Sequence, residues 1–256
     1  MELNIGNKRI EQLFAEFFGL DSSYINQCYR ELKDAYNQKL SSSHEGFIPK
    51  QKKSWRIQFQ EKQTLNHWKN STLIGVDLPI FFKCPDPEAQ TVMLVALDPL
   101  RKRKDFPDFK HEDVIIGTPF AQHSSHYRER SQEVVFASIK HIINKNYHVY
   151  VTDVYKVWMK DDKKKGNKGH ELNKESTIFG ELLLNELDII KPKNVFCIGR
   201  AAENFFKDNN LSKRTLYLPH PAGSNANEWK KYLINQKQTA ENKIKYLKPE
   251  IDNYLD

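Results

Sequence analysis

Cysteine is scarce in this chain. Its three cysteines, Cys28, Cys84 and Cys197, are odd in number, far apart and never in a C-x-x-C pair. That pattern argues against a thiolate zinc site, an iron–sulfur cluster and a disulfide scaffold, and no metal or cofactor is expected. A reducing compartment, the cytoplasm, is the simplest expectation. Long apolar runs are missing too. The opening MELNIGNKRIEQLF has no apolar h-region and no small-residue cleavage site, so neither a signal peptide nor a membrane span is expected. There is no internal repeat. No glycine-rich phosphate loop follows the first apolar strand, which argues against a nucleotide fingerprint.

What is present is a basic chain with enough apolar residues for a core. Of 256 residues, 39% are hydrophobic and 29% charged, with a net charge of +7. Lysine and arginine in excess favour a polyanionic partner, because binding releases counterions from phosphates. Residues 10–37 read as two helices, with Gly19 as a stop and Asp21 or Ser22 as the next cap. Residues 38–55 are polar and read as a loop, and 56–84 are aromatic without a clear period. Residues 1–90 are therefore taken as an N-terminal, mainly helical extension packed on a core domain of 91–256.

From residue 91 the pattern changes. A continuous apolar run at 92–97 and strands at 148–152, 194–198 and 214–218 alternate with helical segments at 131–145, 175–190 and 200–208, and a last helix is expected over 227–246. Continuous apolar strands between helices predict an α/β fold: a three-layer sandwich around a central, mostly parallel four-stranded sheet. Ligands of such sheets bind beyond the carboxyl ends of the strands. Those ends read Asp98-Pro99-Leu100-Arg101, Asp153-Val154-Tyr155-Lys156, Gly199-Arg200 and Pro219-His220-Pro221-Ala222-Gly223-Ser224-Asn225. Polar side chains and rigid Pro/Gly turns thus gather at one edge. The charged run 160–168 reads as a solvated turn or a phosphate contact.

Five segments in this order carry a resemblance to the uracil-DNA glycosylase superfamily. VALDPLRK resembles its water-activating motif, and GTPFAQ at 117–122 its base-stacking turn. VYVTDVYKVW at 149–158 is similar to the strand that ends in a base-reading residue. NVFCIGRAAENFF and LPHPAGSNANEW resemble the last strand–helix start and the His-Pro motif, the latter closest to the single-strand-selective monofunctional branch. Each motif alone is weak; five in order, each at a strand end, are a stronger signal.

The resemblance implies roles for individual residues. Asp98 and His220 would be catalytic: a carboxylate that orients water and steadies the oxocarbenium-like sugar, and an imidazole that donates to O2 of the leaving base. The bland alternatives are an Asp capping its turn and a structural histidine. Leu97, Pro99, Phe120 and Asp153 would line the base, with Phe120 stacking on it or, alternatively, serving only as core. Arg101, Lys102, Arg103, Lys156, Ser224 and Asn225 would meet DNA. The partner is then DNA with a base flipped out, bound by a monomer. No lysine stands out as a lyase nucleophile, so the expected product is an abasic site.

Three departures matter. The family's usual residue at 153 is asparagine, which both donates to and accepts from uracil. Asp153 as a carboxylate only accepts, which suits the exocyclic amine of a cytosine-like or other amino-bearing base; alternatively its side chain points elsewhere, for instance to Lys156. Second, the His-Pro segment offers Ala222-Gly223-Ser224-Asn225 where one branch has a leucine wedge. Third, the four cysteines of the iron–sulfur branch are lacking. His123 and His126 sit near Phe120 without an evident carboxylate or cysteine partner. A non-catalytic module that recognises DNA or a modified base on the same fold is the rival expectation.

Overall fold

A computed structural model describes residues 2–3, 7–51, 55, 71–98, 110, 112–161, 176–211, 215–221 and 226–255. Four strands form the parallel heart of the main sheet: β5 (Thr91–Ala96), β7 (His148–Asp153), β9 (Asn194–Ile198) and β10 (Thr215–Leu218). They lie in the order β7-β5-β9-β10, each parallel to its neighbour. Every residue of β7 and β9 is buried, which is why their middles, Val149–Val151 and Val195–Ile198, are apolar without alternation. The helices α4 (Glu133–Asn144), α5 (Ser176–Ile190) and α6 (Arg200–Asp208) connect them.

The first ninety residues contribute strands as well as helices. Helix α1 (Lys8–Phe18) is capped by the Asn7 side chain and ends at Gly19 with φ 61°, and α2 (Ser22–Asn37) is capped by Asp21. Strands β1 (Glu2–Leu3) and β4 (Ile80–Lys83) extend the main sheet antiparallel beyond β7, giving six strands. The expected division at 90/91 thus falls between β4 and β5, the two neighbours of β7. A second, four-stranded sheet has the order β2-β6-β3-β8, from Ile48–Gln51, Asp113–Gly117, Ser71–Asp77 and Val157–Asp161. One continuous hydrophobic cluster reaches from Ile10 to Leu255 and joins both helical layers to the main sheet.

The last helix is two. Helix α7 (Ala226–Tyr232) stops before a turn in which Asn235 has φ 59°, and α8 (Ala240–Leu255) follows. Helix α8 docks on α4 through His141 and Asp252, 2.8 Å apart, while the Tyr147 hydroxyl donates to the Leu255 carbonyl. Among the described residues no helix is long and apolar enough to cross a membrane.

Candidate functional site

The carboxyl ends of the parallel strands are stitched together beyond their last ladder bonds. The Val154 N–H donates to the Ala96 carbonyl and the Tyr155 N–H to the Leu97 carbonyl, both at 2.8 Å. Leu97 and Asp98 therefore lie directly beside the bend that follows Asp153. At the same bend the second sheet joins: the Asp77 N–H donates to the Lys156 carbonyl and the Leu78 N–H to the Gly117 carbonyl, both at 2.9 Å. Asp77 and Asp153 thus end β3 and β7, and Asp98 follows β5 by two residues, at one seam.

Asp98 is partly buried, and its carboxyl is pushed up to about 6, first by burial and then by the neighbouring negative charge of Asp77. It in turn helps push the Tyr155 hydroxyl up to about 12, after burial. Asp153 is 1% exposed and pairs in register with Ala96. Tyr150 and Thr152 both donate to Glu186 on α5, so they share the face of β7 that looks toward that helix. Successive side chains alternate along a strand, which sends Asp153 to the other side.

Across the sheet edge, the turn Pro119–Ala121 presents Phe120. Phe120 and Ala121 both adopt left-handed backbone, φ 56° and 51°, a costly conformation for side-chain-bearing residues. Thr118 braces the turn: its carbonyl accepts the Ala121 N–H at 2.8 Å and its Oγ1 accepts the His123 N–H at 3.2 Å. The Phe120 ring ends 5.7 Å from the ring of His220, tilted by 43°.

His220 follows β10 and is held from behind. Its carbonyl accepts from Trp229 Nε1 at 2.9 Å. Gly199, at φ +90°, lies so close that a side chain there would put its Cβ 3.4 Å from the His220 Cβ. Burial keeps the His220 imidazole below its ordinary pKa, and the Lys243 cation adds to that. The ends of β5 and β10 are two strand spacings apart, about 10 Å. Asp98 and His220 each follow one of these two strand ends by two residues.

The structure brings Asp98, Leu97, Asp153, Phe120 and His220 to this edge. Pro99, Arg101, Lys102, Arg103, Ser224 and Asn225 lie outside the described residues, as does most of the run 160–168. Lys156 corrects the sequence reading. Expected at a phosphate, its side chain is wholly buried, with Nζ 2.5 Å from Glu186 Oε2. It also donates to Thr152 Oγ1 at 2.6 Å and to the Asp153 carbonyl. The cause is Glu186: a buried carboxylate facing the end of β7 draws the ammonium back under the sheet. His123 is buried against Thr118 and His126 meets the Ser41 carbonyl, so their neighbours are structural.

Two contributors escaped the sequence reading. Asp77 had a weak signal, since GVDLP, like VALDP, carries an apolar segment into an aspartate with a proline close behind. Lys243, in the first turn of α8, had none. A depression of about 450 Å³ between α1 and α5, lined by Arg9, Gln12 and Asp188 among others, sits on the helical layer away from the strand ends.

The model of the uracil DNA glycosylase superfamily matches residues 83–248, a span that holds Asp98, Phe120, Asp153 and His220. No curated protein matches the chain.

Proposed function

The chain belongs to the uracil DNA glycosylase superfamily, whose members act on DNA as glycosylases in base-excision repair, and from that premise we propose that it is a monofunctional glycosylase for a flipped, amino-bearing base. The reading rests chiefly on one observation: the Phe120 and His220 rings stand 5.7 Å apart on the same sheet edge as a carboxyl raised by burial.

The chemistry follows from the residues. A base extruded from the stack costs a few kcal/mol, least where pairing is already poor. The face of Phe120 offsets part of that, since base stacking is worth roughly 1–3 kcal/mol. As the bond from the base to C1′ lengthens, positive charge grows on the sugar and negative charge on the base. Ionised Asp98 steadies the first and takes a proton from the water that adds to C1′. Neutral His220 donates a hydrogen bond to the second. The products are the free base and an abasic site. Asp153, as an acceptor, meets an exocyclic amine where an asparagine would meet uracil.

The test is a panel of oligonucleotides carrying uracil, cytosine derivatives and other modified bases, treated with the protein and then with hot alkali. Cleavage at an amino-bearing base, lost in Asp98→Asn, is expected. Preferred cleavage at uracil removes the role given to Asp153. DNA binding without cleavage of any substrate removes the enzymatic reading and leaves a binding module.

A further inference from the structure

Behind the His-Pro turn sits a buried lysine. Lys243 is 7% exposed, and its Nζ donates to the Pro221 carbonyl at 2.9 Å and lies 5.2 Å from the Trp229 ring. That same Trp229 holds the His220 carbonyl. Three features make a cation costly here. It is buried; it occupies the first turn of α8, where the helix dipole disfavours positive charge; and among the described residues no carboxylate pairs with it. An uncharged side chain of similar length fills the space without those costs.

We propose that Lys243 is a positioning residue that fixes the His-Pro turn and supplies positive potential on the side of the pocket where the departing base becomes negative. The inference rests on the glycosylase reading above. A fixed charge in a partly dry site acts strongly on charge that develops nearby and needs no rearrangement to do so. The same charge opposes protonation of His220, in the direction that burial also drives. His220 is thereby held in its neutral form, the form that donates to the base in the reading above. On the neighbouring helices the charges are paired among themselves: Arg200 at the start of α6 is 2.7 Å from Glu203 and 3.4 Å from Glu228 on α7, and Lys207 is 2.8 Å from Glu203. Among the described residues Lys243 is the charge that bears on the imidazole.

The experiment uses the full chain and two variants. Lys243→Gln keeps a donor for the Pro221 carbonyl and removes the charge; Lys243→Arg keeps the charge. The His220 ring is titrated by NMR in each, and single-turnover excision is measured on whichever oligonucleotide the native chain cleaves. We expect the His220 titration to move up in Lys243→Gln and to return in Lys243→Arg. Excision should fall on the order of tenfold in the first, less than the roughly hundredfold or greater loss from deleting a direct oxyanion donor, and recover in the second. An unmoved titration in folded Lys243→Gln overturns the proposal, as does a moved titration with an unchanged rate. A native chain that cleaves nothing defeats the glycosylase reading instead, and the titration still decides whether Lys243 acts on His220.

Discussion

Asp98→Asn separates a catalytic carboxylate from a structural one by its effect on stability. In the folded chain the Asp98 carboxyl sits at about 6 against an ordinary value of 3.8, because burial and Asp77 oppose its ionisation. Below pH 3.8 it is protonated in both folded and unfolded chains and costs nothing. As pH rises through 6 the unfolded chain has already released its proton while the folded one resists, so stability is lost across that window and stays lost above it. The gap corresponds to about 3 kcal/mol at about 1.4 kcal/mol per pH unit, an upper bound because part of the side chain meets water. That is a large share of a typical 5–15 kcal/mol. Asparagine carries no such penalty. Urea unfolding followed by tryptophan fluorescence should show the variant more stable by up to about 3 kcal/mol at pH 8, nearly equal at pH 4, and devoid of excision. An Asp that merely caps its own turn gives the opposite result, a variant weaker at pH 8, and that outcome refutes the reasoning.

Other substitutions probe the remaining parts of the edge. Phe120→Gly suits the left-handed backbone at 120 but removes the ring, so excision should fall roughly fivefold to a hundredfold in single-turnover assays with little loss in melting temperature. Lys156→Met leaves Glu186 buried without its cation and should cost about 3–5 kcal/mol in urea unfolding, most of it recovered in Lys156→Met/Glu186→Leu. The double variant should also keep the native salt dependence of DNA binding, whereas loss of a phosphate contact lowers that slope by about one. Gly199→Ala puts a side chain at φ +90° but only into ordinary contact with His220, so it should lose about 1 kcal/mol or more in thermal unfolding through backbone strain.

The parallel strands were legible because burial on both faces leaves their middles apolar, as in Val92–Ala96 of β5, Val149–Val151 of β7 and Val195–Ile198 of β9. The caps at Asp21 and Gly19 were legible because they are local chemistry. What escaped was decided by tertiary contact. Strand β2 lay inside a stretch read as a loop, β4 inside an aromatic stretch without period, and β6 is a five-residue DVIIG after a charged segment. The turn between α7 and α8 contains Asn235, which tolerates left-handed backbone, but no proline or glycine marks the break. Lys156 read as surface because a lysine after a strand usually is. Its clue lay thirty residues on, where Glu186 interrupts the inner face of α5 formed by Phe179, Leu182, Leu183 and Leu187. A charge on an apolar helical stripe requires a partner, and only the fold names it.

The site is best understood as a seam. The bend 154–156 carries the chain from β7 in the main sheet to β8 in the second, and at that bend the backbone of Asp77 and of Leu97 is tied in. The buried Lys156–Glu186 pair sits immediately beneath and grips Thr152 and the Asp153 carbonyl. Rigidity at the seam is what lets a buried carboxylate persist at Asp98, because a looser edge would admit water and return the group to its ordinary acidity. Asp77, which helps raise Asp98, lies upstream of the family match that begins at residue 83. The acidity of the central carboxyl is therefore set partly from the chain's N-terminal third. Glycosylases that share the motifs but end β3 differently should ionise the corresponding acid at a different pH.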